Sequence, residues 1–163
     1  MIMNAVLGRG MSSRLFKEVR ERRGLAYSIG SSVSRYNDTG VMSIAAGVSP
    51  EKVAETITVI MAELKKLVDE PVGDEEMTKA RDYTTGSFRL GLETSMALAQ
   101  RAGEQLLMLG EIEPIEEVVA NLQAVSAADV QRVARRLFRN DNLAMSLVGP
   151  GADEGELAEL LAA

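Results

Sequence analysis

The stretch LGRGMSSRLFKEVRERRGLAY, from Leu7 to Tyr27, decides how this chain folds. Gly8-Arg9-Gly10 interrupts the apolar segment before it, and Ser12-Ser13 supplies candidate N-caps for a helix over 14–22. Gly24 is placed to end that helix. The glycines lack both the spacing and the Lys-Ser/Thr pair of a phosphate-binding loop. The stretch therefore predicts a helix, a tight turn and the start of a strand.

The residues that follow have the pattern of a long antiparallel hairpin. Ala26–Arg35 is rich in small, β-branched and aromatic residues, Tyr36–Gly40 has turn chemistry, and Val41–Val48 is the predicted return strand. Several small residues line the hairpin, so we expect another part of the molecule to approach its backbone closely. They are Ser31, Ser32, Ala45, Ala46 and Gly47.

Most of the remaining chain predicts helices, with one further strand. Helices are expected from about Glu51, Asp74, Thr94, Ile115 and Ser126, followed by a strand over Leu143–Val148 and an acidic tail helix over Glu154–Leu161. Strands are clustered rather than alternating with helices. The predicted fold class is α+β, a small antiparallel sheet made of the hairpin plus a C-terminal strand, packed against several helices.

Composition excludes several classes of function. The chain has 163 residues, about one domain, and a net charge of -6, which disfavours nucleic-acid binding. It contains no histidine and no cysteine, so a histidine-based catalytic triad, a thiolate nucleophile and the usual zinc ligands are all missing. No apolar run approaches the roughly 20 residues that span a bilayer, so no membrane partner is expected. The absence of cysteine fits a bacterial cytoplasmic protein, which is the location we expect.

Two kinds of side chain could carry chemistry. Arg20 and Tyr27 would lie at the end of a helix and the start of a strand, and could present a guanidinium and a phenol to one peptide carbonyl or carboxylate. Spacing by itself favours the ordinary alternative, a surface arginine and a half-buried tyrosine. The acidic groups at 74–76 and 111–117 could bind Mg²⁺ or Ca²⁺, but acids at helix starts explain them better.

The stretch from Leu7 onward resembles a family motif that runs from Gly-Gly-Gly-Met-Ser-Ser-Arg-Leu-Phe to Arg-Gly-Leu-Ala-Tyr, followed by a hairpin and a Pro-Glu helix start. It is the motif of the pitrilysin, insulinase and mitochondrial-processing-peptidase family of zinc peptidases. The likeness continues from PVGDEEMTKARDY to VARRLF and so covers nearly the whole chain. Arg9 stands where the family has a glycine.

The resemblance implies a function. In this family, two similar halves face each other, and one carries zinc on a His-x-x-Glu-His helix while the other holds the peptide. This chain resembles the second, non-catalytic C-terminal half, so zinc would lie in the partner half and no metal in this chain. Arg20 and Tyr27 match the family's substrate-binding arginine–tyrosine pair, and no residue of this chain is expected to be catalytic.

Two further expectations follow from the resemblance. Residues 1–163 would form a single domain in which 1–7 is the remnant of a truncated helix, so that the chain would self-associate through a strand edge or an uncovered core. The expected partners are the zinc-bearing half, peptide substrates and a second copy. The alternative is a structural assembly subunit with this fold and no peptidase role.

Overall fold

The computed structural model describes residues 1–36, 38–150 and 153–162. In chain order, the elements are α1 (Ile2–Leu7), a π-helix (Phe16–Arg22), β1 (Ala26–Arg35), β2 (Gly40–Val48), a 3₁₀ turn (Pro50–Lys52), α2 (Val53–Asp69), α3 (Asp74–Leu90), α4 (Ser95–Leu109), α5 (Ile115–Ala124), α6 (Ala127–Leu137), a second 3₁₀ turn (Asn140–Asn142) and α7 (Glu154–Ala162). The α+β class is confirmed.

Helix α1 lies at the centre of the core. Its six residues are all buried, and it packs against α3, β1 and α6. The core continues through Leu15 and Val19, at 0% exposure, and through one face of α2 that ends in fully buried Leu67. Asn4, the polar residue of α1, accepts a hydrogen bond from Ser31 Oγ at 2.6 Å, which satisfies its buried side-chain oxygen.

The hairpin has the predicted strand bounds, except that β2 begins one residue earlier, at Gly40. β1 and β2 pair antiparallel from Arg35 opposite Gly40 to Ala26 opposite Val48. In the predicted turn, Tyr36 N–H donates to Thr39 O at 2.9 Å, while Asn37 lies outside the described residues.

The predicted C-terminal strand is wrong. Within the described residues the sheet has two strands, and 143–148 forms no ladder with either of them. Leu143 has extended dihedral angles, and Met145 to Val148 line one side of a cleft whose other side includes β2. The apolar pattern of this segment indicates that it packs against the sheet. A strand, however, forms only where a neighbouring strand pairs with its backbone hydrogen-bonding groups.

Helix boundaries follow local chemistry. Thr94 accepts a hydrogen bond from Ala97 N–H at 3.1 Å and caps α4, and Ser126 and Asp129 form a reciprocal capping box at the start of α6. The predicted helix over 14–22 is π-helical from Phe16 onward. Among the described residues, none of the helices combines the length and the apolar character that spanning a membrane requires.

Candidate functional site

The loop between α1 and the π-helix is anchored on β1. Gly8 O accepts a hydrogen bond from Ser31 N–H at 3.0 Å. A Cβ at Gly8 would lie 2.5 Å from Ser31 Oγ and 2.7 Å from Ser31 N, so only glycine fits there. The small residues of the hairpin predicted that another part of the molecule approaches its backbone closely. This loop makes that approach, at Gly30 and Ser31. The first glycine therefore serves packing of the loop against the strand.

A bidentate ion pair fixes the chain just before the π-helix. Arg14 donates from Nε and Nη2 to the two carboxylate oxygens of Glu76 on α3, at 2.8 and 2.7 Å. Both side chains are partly shielded from solvent, and the Glu76 hydrogen bond raises the pKa of the Arg14 guanidinium above its usual value. This pair joins the start of the site segment to a helix of the core.

The turn after the π-helix brings β1 back beside it. Gly24 adopts a left-handed φ of 58°, and Leu25 N–H donates to Val19 O at 2.8 Å. Lys52 Nζ donates to Gly24 O at 2.9 Å. Because the chain reverses within three residues, the first residues of β1 lie next to the last turn of the π-helix.

A β-bulge directs Tyr27 out of the domain. Ala26 pairs with Val48 and Ser28 pairs with Gly47, so Tyr27 is the extra residue of β1 at that point. Bulges redirect side chains and are common beside functional sites. Ala26 is buried, whereas Tyr27 is 86% exposed. The half-buried tyrosine that spacing by itself favours is therefore wrong.

Arg20 lies close to two aromatic rings. Its guanidinium carbon is 4.9 Å from the centroid of the Phe16 ring and 5.9 Å from that of Tyr27. Phe16 precedes Arg20 by four residues on the π-helix, and Tyr27 approaches from the bulge. Both rings hold the cation by cation–π attraction, which leaves its N–H groups available.

The polar atoms of this pair make no competing contacts. Within 1–36, 38–150 and 153–162, no hydrogen bond or ion pair occupies the Arg20 guanidinium or the Tyr27 hydroxyl. The neighbouring acid Glu18 is engaged by Arg22 instead. Two oriented donor groups on an open surface can bind a carbonyl or carboxylate oxygen from outside the domain.

The structure thus brings both predicted site residues together, and it adds two features that sequence reasoning missed. These are the Phe16 ring under the guanidinium and the bulge at Tyr27. Phe16 was detectable as an aromatic residue four positions before Arg20 on a helix. The bulge follows from pairing between distant residues and had no local signal.

Three acids of the two predicted acidic groups lie in ion pairs. Glu76 binds Arg14, Glu75 binds Lys79 and Glu116 binds Arg89. The described residues include no group of three or more acidic, histidine or cysteine side chains arranged to hold a metal ion. The first two pairs tie α3 to the site segment and brace α3 itself, and the third joins α3 to α5.

Comparison with solved structures places this fold in a known class. It matches the crystal structure of a peptidase M16 inactive domain from Pseudomonas fluorescens with a TM-score of 0.74 at 20% identity, covering 83% of this chain and 32% of that one. It matches a chain of Complex III2 from Candida albicans with a TM-score of 0.74 at 18% identity, covering 85% of this chain and 36% of that one. At these identities the likeness concerns the fold.

Sequence comparison supplies the family. The profile described as the peptidase M16 inactive domain matches residues 1–83, about half of the chain, which includes the loop, Arg20, Tyr27 and the hairpin. The chain belongs to this family. It is 37% identical over 94% of its length to an uncharacterized zinc protease from Streptomyces coelicolor and 36% identical over 93% to one from Bacillus subtilis. It covers 33% and 37% of those proteins, so it spans about a third of the length of these relatives.

Proposed function

We propose that this chain is the non-catalytic, substrate-binding half of a zinc-dependent metalloendopeptidase. The observation that carries the proposal is the Arg20–Tyr27 pair, a guanidinium in cation–π contact with two aromatic rings, one of which belongs to the exposed phenol. Donors that are already positioned before the substrate arrives bind a peptide carbonyl with a smaller loss of side-chain conformational entropy. Membership of the peptidase M16 inactive domain family and the zinc protease names of two relatives support this role.

Zinc does not fit the donors of this chain. Protein zinc sites use thiolates and imidazoles, with carboxylates as additional ligands, and the chain contains neither cysteine nor histidine. Its acids at 75, 76 and 116 are engaged with basic side chains. The proposal therefore places the metal in a separate half that carries the His-x-x-Glu-His helix.

The position of the pair suits a site that a second surface completes. Clefts of about 580 and about 550 Å³ lie elsewhere, one beside α3 and the other between β2 and the 143–150 segment. Neither Arg20 nor Tyr27 lines them. A peptide held on open surface by two donors needs another wall to exclude water, and a facing half would supply that wall.

The alternative role is a structural assembly subunit. The chain of the Candida albicans Complex III2 structure supports it, because that chain shares the fold within a multi-subunit assembly. Fold likeness by itself does not separate the two roles. A purely structural role does not require an arginine and a tyrosine side by side with their donors facing open surface, so the pair favours peptide binding.

A chimeric protein tests the proposal. The segment of the Bacillus subtilis relative that aligns with this chain is replaced by the 163 residues, and cleavage of quenched fluorescent peptides is measured with and without a zinc chelator. We expect chelator-sensitive cleavage comparable to that of the parent, and a strong loss in Arg20→Ala. Full cleavage by both Arg20→Ala and Tyr27→Phe chimeras would refute the assigned role.

A further inference from the structure

Phe16 lies beside the core rather than in it. Leu15 and Val19, four residues apart, are 0% exposed and supply the core face of this segment. Phe16 and Arg20 each come one residue later and have the same spacing, so they form a neighbouring row. Phe16 is half-buried and, among the described residues, is not part of the cluster of side chains that forms the main core. The ring interaction that it makes there is the one with the Arg20 guanidinium.

Of the two rings near Arg20, that of Phe16 is better placed to restrict the guanidinium. Its centroid is 4.9 Å from the guanidinium carbon, compared with 5.9 Å for Tyr27. The Tyr27 side chain is 86% exposed, whereas that of Phe16 is half-buried and comes from the same helix as the arginine. Burial reduces the rotamer freedom of a side chain, so the Phe16 ring is the firmer support.

The Arg20 side chain is exposed and needs such a support. A long, flexible side chain loses rotamer freedom when it binds a ligand, which weakens binding unless the side chain is already restricted. A carboxylate partner would restrict the guanidinium but would also occupy its N–H donors. An aromatic ring attracts the cation through its face and leaves those donors free. The neighbouring Glu18 is engaged by Arg22 instead.

We propose that Phe16 is a positioning residue for peptide binding, whose ring restricts the Arg20 guanidinium before the peptide arrives. This inference rests on the proposed function, since it concerns the same arginine. Phe16 acts through Arg20, so its contribution to peptide hydrolysis depends on the presence of the guanidinium. A ring that only stabilised the fold would contribute equally with and without Arg20.

A double-mutant cycle in the chimera tests this dependence. Phe16→Leu keeps an apolar side chain but removes the ring, and should lower kcat/KM about fivefold, the factor that corresponds to a cation–π contact at an exposed site. In the Arg20→Ala background the same substitution should change kcat/KM by less than about twofold, because the partner of the ring is already gone. Phe16→Tyr keeps the ring and should retain most of the activity.

Phe88→Leu is the matched control. Phe88 is also half-buried, and its ring lies 5.7 Å from the guanidinium carbon of Arg101, away from the site. Its loss should leave kcat/KM unchanged. A loss in Arg20→Ala without a loss in Phe16→Leu would overturn the positioning role and leave the proposed function standing, as would equal losses from Phe16→Leu in both backgrounds. Unchanged activity in Arg20→Ala would refute the proposed function, and the positioning role with it.

NMR of the 163-residue chain tests the ring contact without relying on a substituted protein. Protons over the face of an aromatic ring resonate upfield, so the Arg20 Hε signal should lie upfield of that of the exposed Arg23. Phe16→Leu should move the Arg20 signal toward that of Arg23, whereas Phe88→Leu should leave it in place. An Arg20 Hε signal that already coincides with that of Arg23 in the unsubstituted chain would overturn the proposal.

Discussion

At the scale of single residues, the Arg20 guanidinium is oriented by contacts that do not use its hydrogen-bond donors. Phe16 and Tyr27 lie near it, with ring centroids at 4.9 and 5.9 Å, and the nearby acid Glu18 is engaged by Arg22. Arginine can lay a planar guanidinium against an aromatic ring, whereas a lysine ammonium has no plane to align. The site residues could be predicted from sequence through the family motif, whereas the stacking that positions them depends on three-dimensional contacts.

Substitutions at the pair should lower peptide hydrolysis in the chimera. Arg20→Ala and Tyr27→Phe are each expected to cost about 2–4 kcal/mol of transition-state binding, by analogy with the loss of an oxyanion donor. Arg20→Lys should be nearly as harmful as Arg20→Ala, because a point charge does not reproduce the planar fork. The measurement is kcat/KM, with the exposed neighbour Arg23→Ala as control. Equal rates for Arg20→Lys and the unsubstituted protein would show that charge suffices.

Asp129 in the α6 capping box should make stability depend on pH. Hydrogen bonds from Ser126 and from Arg132 hold the pKa of its carboxyl at about 2, below the ordinary 3.8. Since the folded-state pKa is depressed, the stabilisation is complete above about pH 4–5 and is lost as pH falls toward 2. Asp129→Asn should therefore lower the urea midpoint at pH 6 and have a smaller effect at pH 2.5. In a Ser126→Ala background the difference should shrink at both pH values, and a constant difference would contradict this role.

At the scale of elements, the sequence allowed prediction of those features that depend on residues close together in the chain. Strand bounds, the Thr94 cap and the Ser126 capping box follow from residues close together in sequence. The 143–148 segment did not become a strand because a strand requires a partner elsewhere in the chain. The π-helical geometry over 16–22 also escaped prediction, since its apolar pattern matches that of an α-helix over so short a span.

Two glycines should respond in opposite directions to substitution by alanine. Gly8→Ala places a Cβ within 2.8 Å of three Ser31 atoms, including the backbone N, and should destabilise the fold by about 1–3 kcal/mol. Gly86→Ala meets no atom within 4 Å inside α3 and should stabilise by about 0.5–1 kcal/mol. Urea unfolding measures both. A neutral Gly8→Ala would show that the loop does not need its close approach to β1.

At the scale of the whole molecule, the chain has the residues proposed to bind a peptide but lacks the histidine and cysteine residues that usually bind zinc. The fold places Arg20 and Tyr27, the proposed peptide-binding pair, on an open surface, and the chain spans about a third of the length of the relatives it matches. The proposed activity therefore requires groups that these 163 residues do not contain.

The isolated chain should neither bind zinc tightly nor cleave peptides. It has no histidine or cysteine, and its acids at 75, 76 and 116 are engaged in ion pairs. Calorimetry with zinc and a quenched-peptide assay measure the two properties on highly purified protein. Chelator-sensitive cleavage by this preparation would contradict the assignment of catalysis to a separate half.

Peptide binding by the isolated chain is the most direct test of the central claim. A ¹⁵N-labelled sample is titrated with a capped peptide that lacks aromatic residues, and the Arg20 Nε–Hε and Tyr27 amide signals are followed by NMR. We predict saturable shifts at both signals, weakened by Tyr27→Phe and retained in Tyr36→Phe; in Arg20→Ala the shift of the remaining Tyr27 amide signal should be abolished. Shifts confined to other surfaces, or binding that survives Arg20→Ala unchanged, would contradict the claim that this pair holds the substrate.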